Sequence, residues 1–144
     1  MKLFAPLFAG LLLCFATGSA HAQKPVNWTP AQVMQPAVLA KTLQENKKLP
    51  VLISVGPGAT IKHSVDIGSV NNAENLQSFK NTLSALPKDA AVVVYCGCCP
   101  YENCPNVRPA VAVLKTMGFT NFKLLDLPTN IKTDWIDKGY PVNE

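Results

Sequence analysis

The sequence predicts an α/β domain, a small and mainly parallel sheet with helices on both faces. Two observations carry this. The runs "PVLISV" (50–55), "AAVVVY" (90–95) and "FKLLDL" (122–127) are short and largely apolar instead of alternating, as strands covered on both faces are. The stretches between them place apolar residues at helical spacing, so strand and helix alternate along the chain.

Each element follows in order. "MKLFAPLFAGLLLCFATGSAHA" (1–22) reads as a secretory signal peptide, with Lys2, an apolar run from Leu3 to Ala16, and the small-x-small ending Ala20-His21-Ala22. The run is shorter than the ~20 apolar residues a bilayer span requires. A domain over 23–144 is therefore expected to be exported, periplasmic or secreted, with no membrane association once the leader is removed. Cys14 lacks the small residue that precedes a lipidated cysteine, since Leu13 stands there. Thr29 and Pro30 suggest a capped helical lead-in. Pro36 stops it and opens a helix with Val38, Leu39, Thr42 and Leu43 at helical spacing. After the 50–55 strand, Gly56, Pro57 and Gly58 force a loop. "SVDIGSV" (64–70) alternates as a second short strand would. Leu76, Phe79, Leu83 and Leu86 then form one helical stripe that Pro87 ends. The 90–95 strand leads straight into a cysteine-rich loop. Beyond it, Val107, Ala110, Val111, Leu114 and Met117 line one helical face, and Gly118 provides a left-handed cap. The 122–127 strand, the turn at 128–130 and a short amphipathic segment around Trp135 complete the chain. Trp28 and Trp135 read as packing residues.

Charge excludes one class of function. The net charge of +4 is spread out, with no basic run interleaved with aromatics, so nucleic acid is not an expected partner. Twelve of the thirteen basic residues are lysines; Arg108 is the single arginine, four positions after Cys104.

Chemistry concentrates in "YCGCCPYENCPNVRPA" (95–110), which holds Cys96, Cys98, Cys99 and Cys104, every cysteine except Cys14. In open α/β sheets, ligands bind beyond the carboxyl ends of the strands. Cys96 falls where a buried strand feeds a helix N-terminus. Converging backbone N–H groups and the helix start favour a thiolate or persulfide anion there. Cys104, beside Pro105 near the helix start, is also placed for a lowered pKa. Three uses of the cluster stay open: sulfur or thiol–disulfide chemistry at Cys96, a structural disulfide, and a soft metal such as Cu(I), or zinc. Adjacent Cys98 and Cys99 bridge each other only with strain, and stapling so short a loop removes little unfolded-state entropy. Arg108, in the first helical turn, could clamp an oxyanion or simply lie on the helix surface. His63 is the one histidine left after leader removal, which rules out a multi-histidine metal site within one chain, and it lacks the partner that base catalysis requires. Glu102 is expected to face solvent.

"VVVYC" (92–96), the following loop and arginine, "LKTMGF" (114–119), "FKLLDL" and "WIDKGYPV" (135–142) together resemble a single-domain rhodanese. The resemblance is strongest from Val92 to Val142 and weaker back to Thr29. It implies a sulfurtransferase in which Cys96 takes a sulfane sulfur as a persulfide and passes it to a thiol or other nucleophile. Arg108 would then be a substrate-binding residue. Cys99, Cys104 or Cys98 would be a second, resolving thiol; attack by Cys99 or Cys104 would leave an intramolecular disulfide. The implied partners are a small sulfur-containing donor, a thiol acceptor and, for the redox route, a partner protein; no cofactor is called for. The chain also departs from the family. Its loop is longer and richer in cysteine, and Ser54-Val55-Gly56 stands where Asp-Val-Arg is usual. Thr60-Ile61-Lys62-His63-Ser64 replaces His-Ile-Pro-Gly-Ala, which puts His63 at a glycine position. The identity of the donor, thiosulfate included, is left open by these changes.

Overall fold

The computed structural model describes residues 28–58 and 60–144; the expected signal peptide, 1–22, and Cys14 lie outside the described residues. The elements are β1 (Val33–Met34), α1 (Pro36–Glu45), β2 (Val51–Ser54), β3 (Val65–Asp66), α2 (Ala73–Ser84), β4 (Val92–Tyr95), α3 (Val107–Thr116), β5 (Phe122–Leu125) and α4 (Ile131–Asp134). The five strands form one sheet in the order β1-β5-β4-β2-β3, and every pairing within it is parallel. The α/β class expected from the uniformly apolar runs is what the chain adopts.

Alternation along the strands sorts side chains into two layers. Ile53, Val92, Val94, Cys96 and Leu124 pack with Phe79 and Leu83 of α2 and with Val107, Ala110, Val111 and Leu114 of α3. Leu52, Val93, Tyr95 and Leu125 face the other way, against Leu39, Ala40 and Leu43 of α1 and against Trp135. Both sheet faces are thus covered, which explains why the strand sequences carry no polar face. Asn72 caps α2 by accepting from the N–H groups of Glu74 and Asn75. Gly118, at φ 81°, supplies the left-handed turn after α3.

Three local expectations change. The lead-in is only a 3-10 turn at Pro30–Gln32, after which Val33 and Met34 add β1 to the sheet edge beside Leu124 and Leu125. Two residues are too few to show a period. The strand expected over 64–70 shrinks to Val65–Asp66, both exposed at the opposite edge, because Gly68 turns the chain at φ 78°. Val38 is 55% exposed, so the buried stripe of α1 runs through Leu39, Ala40 and Leu43 instead. Among the described residues, no helix is long and apolar enough to cross a membrane.

Candidate active site

β4 is the central strand, flanked by β2 and β5, and all four of its residues are buried. Cys96 follows it directly, 2% exposed, its side chain turned toward the α2–α3 layer. The chain leaving β2 passes so close that a Cβ on Gly56 would lie 2.4 Å from the Cys96 sulfur. Gly56 is therefore required by close approach. Gly97 is pinned on the other side, where its carbonyl accepts from the Ile131 N–H at 2.9 Å and a Cβ would meet the Ile131 side chain at 2.9 Å. The loop then runs through a 3-10 turn at Tyr101–Asn103 before Asn106 leads into α3.

This path gathers four thiols. Cys96 Sγ lies 3.3 Å from Cys98 Sγ, which is itself 3.3 Å from Cys99 Sγ. The sulfurs of Cys96, Cys98, Cys99 and Cys104 all fall within 4.8 Å of one another. None is in a disulfide; Cys96 and Cys104 are buried, Cys99 is half-buried and Cys98 is exposed. The cluster therefore grades from interior to surface.

Its electrostatics favour one thiolate. The Cys104 thiol donates to Cys96, the Cys98 backbone and side chain add further donation, and so does the Asn106 amide; together they outweigh burial and hold the Cys96 pKa at about 5. Cys104 moves the opposite way. The N–H groups of Asn106 and Val107, at the start of α3, do point at its sulfur as a helix-start cysteine should have them. Its hydrogen bond to Cys96, aided by burial, nonetheless raises its pKa. The lowered pKa expected for Cys104 is thus corrected: two sulfurs share one favourable negative charge, and Cys96 takes it. Desolvation first, then its sulfur neighbours, push Cys98 up to about 12.

Asn106 was not singled out from the sequence. It is 3% exposed, and its Oδ1 accepts from the Ser69 hydroxyl at 2.6 Å and the Asn71 N–H at 3.0 Å. Those bonds fix the amide so that Nδ2 donates to Cys96 Sγ at 3.6 Å. A polar residue beside Cys-Pro carries no periodic signal. Only the fold brings Ser69 to it.

No family model and no curated protein matches the chain. Solved structures do. A protein from Lactobacillus plantarum superposes with a TM-score of 0.59 at 14% identity, over 79% of this chain and 89% of that one. The Alr3790 protein from Anabaena sp. gives 0.55 at 17%, over 76% and 90%. A single domain sulfurtransferase from Saccharomyces cerevisiae gives 0.54 at 15%, over 79% and 95%. The fold is rhodanese-like.

Within this rhodanese-like frame the remaining residues find their places. His63 has φ 67°, a left-handed backbone that suits glycine. Its segment is held by Tyr95, whose hydroxyl accepts from the Ile61 N–H at 3.2 Å and bonds the Ser64 hydroxyl at 2.7 Å. Arg108 is the second residue of α3; it donates to the Glu102 carbonyl at 2.9 Å, and its guanidinium lies 5.4 Å from the Trp28 ring centroid. The Glu102 side chain is exposed. Trp135 packs fully buried against Tyr140, as expected of a packing residue.

Proposed function

We propose that this chain is an exported sulfurtransferase or sulfur carrier that works through Cys96. The observation that carries the proposal is the set of donors converging on one buried sulfur at the end of the central strand: the Cys104 thiol, the Cys98 N–H and the Asn106 amide. Such donors stabilise the Cys96 thiolate, both as the attacking nucleophile and as the leaving group. The fold shared with a sulfurtransferase supports the same conclusion.

In the first step the Cys96 thiolate attacks the sulfane sulfur of a donor. The donor's bond to that sulfur breaks, its remainder leaves with the electron pair, and Cys96 carries a persulfide. In the second step a thiolate acceptor attacks the outer sulfur, and Cys96 leaves as the thiolate its donors stabilise. A low-pKa thiol is the better leaving group. An internal route exists too, and Cys98 is the thiol at 3.3 Å. The Cys98 thiol would attack Cys96 Sγ as its proton passes to the departing outer sulfur, so that hydrosulfide is expelled and a Cys96–Cys98 disulfide remains, which an external dithiol reduces by two electrons. Arg108 is proposed to attract an anionic donor to the loop.

Reduced, metal-free protein is treated with a polysulfide or thiosulfate donor, tagged for persulfide and read by mass spectrometry. One added sulfur on Cys96 is expected in the wild type and none in Cys96→Ser. Full sulfur uptake by Cys96→Ser overturns the proposal.

A further inference from the structure

We infer that the four-cysteine cup is also a binding site for one soft, thiophilic monovalent cation of the Cu(I) class, competing with the sulfur chemistry for Cys96. The geometry fits such an ion. With metal–sulfur bonds of about 2.3 Å, two-coordinate sulfurs lie ~4.6 Å apart and three- or four-coordinate ones ~3.8–4.0 Å apart. The four sulfurs here lie within 4.8 Å of one another, with two contacts at 3.3 Å, so small side-chain rotations bring two or three of them onto one ion.

Softness and charge select the class. Among the described residues the ligand cluster is sulfur alone, which favours a soft ion over a hard one. A monovalent ion on two thiolates leaves a net charge of −1. A divalent ion on four thiolates leaves −2, a heavier desolvation cost for a cup in which Cys96 and Cys104 are buried. Binding needs no redox step: the ion takes the Cys96 thiolate and a second sulfur, and the second thiol releases its proton to solvent. The surroundings supply the remaining parts of a metal site. Exposed Cys98 and half-buried Cys99 give an entry path, and the Asn106 amide, fixed by Ser69 and Asn71, donates to a ligand sulfur as outer-shell groups do.

The test is an anaerobic titration of reduced protein with Cu(I) held by bicinchoninate, read by loss of the coloured chelate. The expected result is withdrawal of one Cu(I) per chain. Cys98→Ser, a change at an exposed position, should weaken binding by about tenfold or more, and Cys96→Ser likewise. No withdrawal from the chelate, or wild-type affinity in both variants, overturns the inference. So does tighter binding of Zn(II) than of Cu(I) in direct competition. Persulfide uptake is measured separately on metal-free protein, so loss of either activity leaves the other standing. With both intact, one equivalent of Cu(I) should block sulfur uptake at Cys96.

Discussion

Removing the Cys104 thiol tests how the reactive sulfur is made. That thiol is the largest of the influences lowering the Cys96 pKa to about 5. A hydrogen bond to a charged group contributes about 1.5–3 kcal/mol, and one pKa unit corresponds to about 1.4 kcal/mol. Cys104→Ala should therefore raise the Cys96 midpoint by about 1–2 units. At pH 6 the thiolate fraction would fall from about nine-tenths to between about one half and one tenth. Cys104→Ser keeps a donor and should restore most of the shift. The assay is a titration of ultraviolet thiolate absorbance on reduced, metal-free protein, with Cys96→Ser identifying the first transition. The alanine variant also leaves the Asn106 and Val107 N–H groups without their sulfur acceptor, so its melting temperature should drop as well. A Cys104→Ala midpoint within a few tenths of a unit of wild type would refute the idea that this thiol sets the charge.

Two further predictions concern the same sulfur. Gly56→Ala places a Cβ 2.4 Å from Cys96 Sγ, so the sulfur or the β2 exit must shift; a loss of about 1–3 kcal/mol and a raised Cys96 midpoint are expected, whereas wild-type melting with an unchanged midpoint would show the approach to be slack. Stability should also depend on pH through this group. A depressed folded pKa means the native state binds fewer protons than the unfolded chain between pH 5 and the unperturbed 9.0. Stability therefore climbs with pH across that window, by up to about 1.4 kcal/mol per unit for one proton, and is lost as pH falls through 5. Above pH 9 the sign reverses, because native Cys98 and Cys104 hold protons that the unfolded chain gives up. Urea unfolding of wild type and Cys96→Ser checks this, since only their difference should carry the slope below pH 9; a flat difference contradicts it.

Much of the fold was legible because burial on both faces leaves a strong mark. The runs around Leu52, Val93 and Leu124 could hardly be anything but interior strands, and the α2 and α3 stripes declared themselves at helical spacing. The sheet edges were less legible. Val33–Met34 and Val65–Asp66 are two residues each, held by neighbours and not by pattern. At the site, Cys96 could be singled out because a buried strand delivers it. Asn106 and Gly56 could not, since their roles exist only through contacts with Ser69, Asn71 and Cys96 that lie far away in sequence. Cys104 departs from the sequence expectation for a related reason. Helix-start donation is a local property, but the competition between two sulfurs for one proton depends on their meeting in space.

The segment behind Gly56 is tied to a part of the chain synthesised much later. Lys62 N–H donates to the Pro141 carbonyl, Asn143 N–H donates to the Thr60 carbonyl, and Ile61 bridges Val142. The His63 N–H reaches the Asn143 side chain across a sequence separation of 80. Contacts of such long range form only after the intervening chain has been made and collapsed. During biogenesis the thiols exist before this fastening does. In the exported setting proposed above, oxidising surroundings would meet four unshielded cysteines in that interval, and the yield of reduced protein would then be decided by the race between this late closure and random disulfide formation.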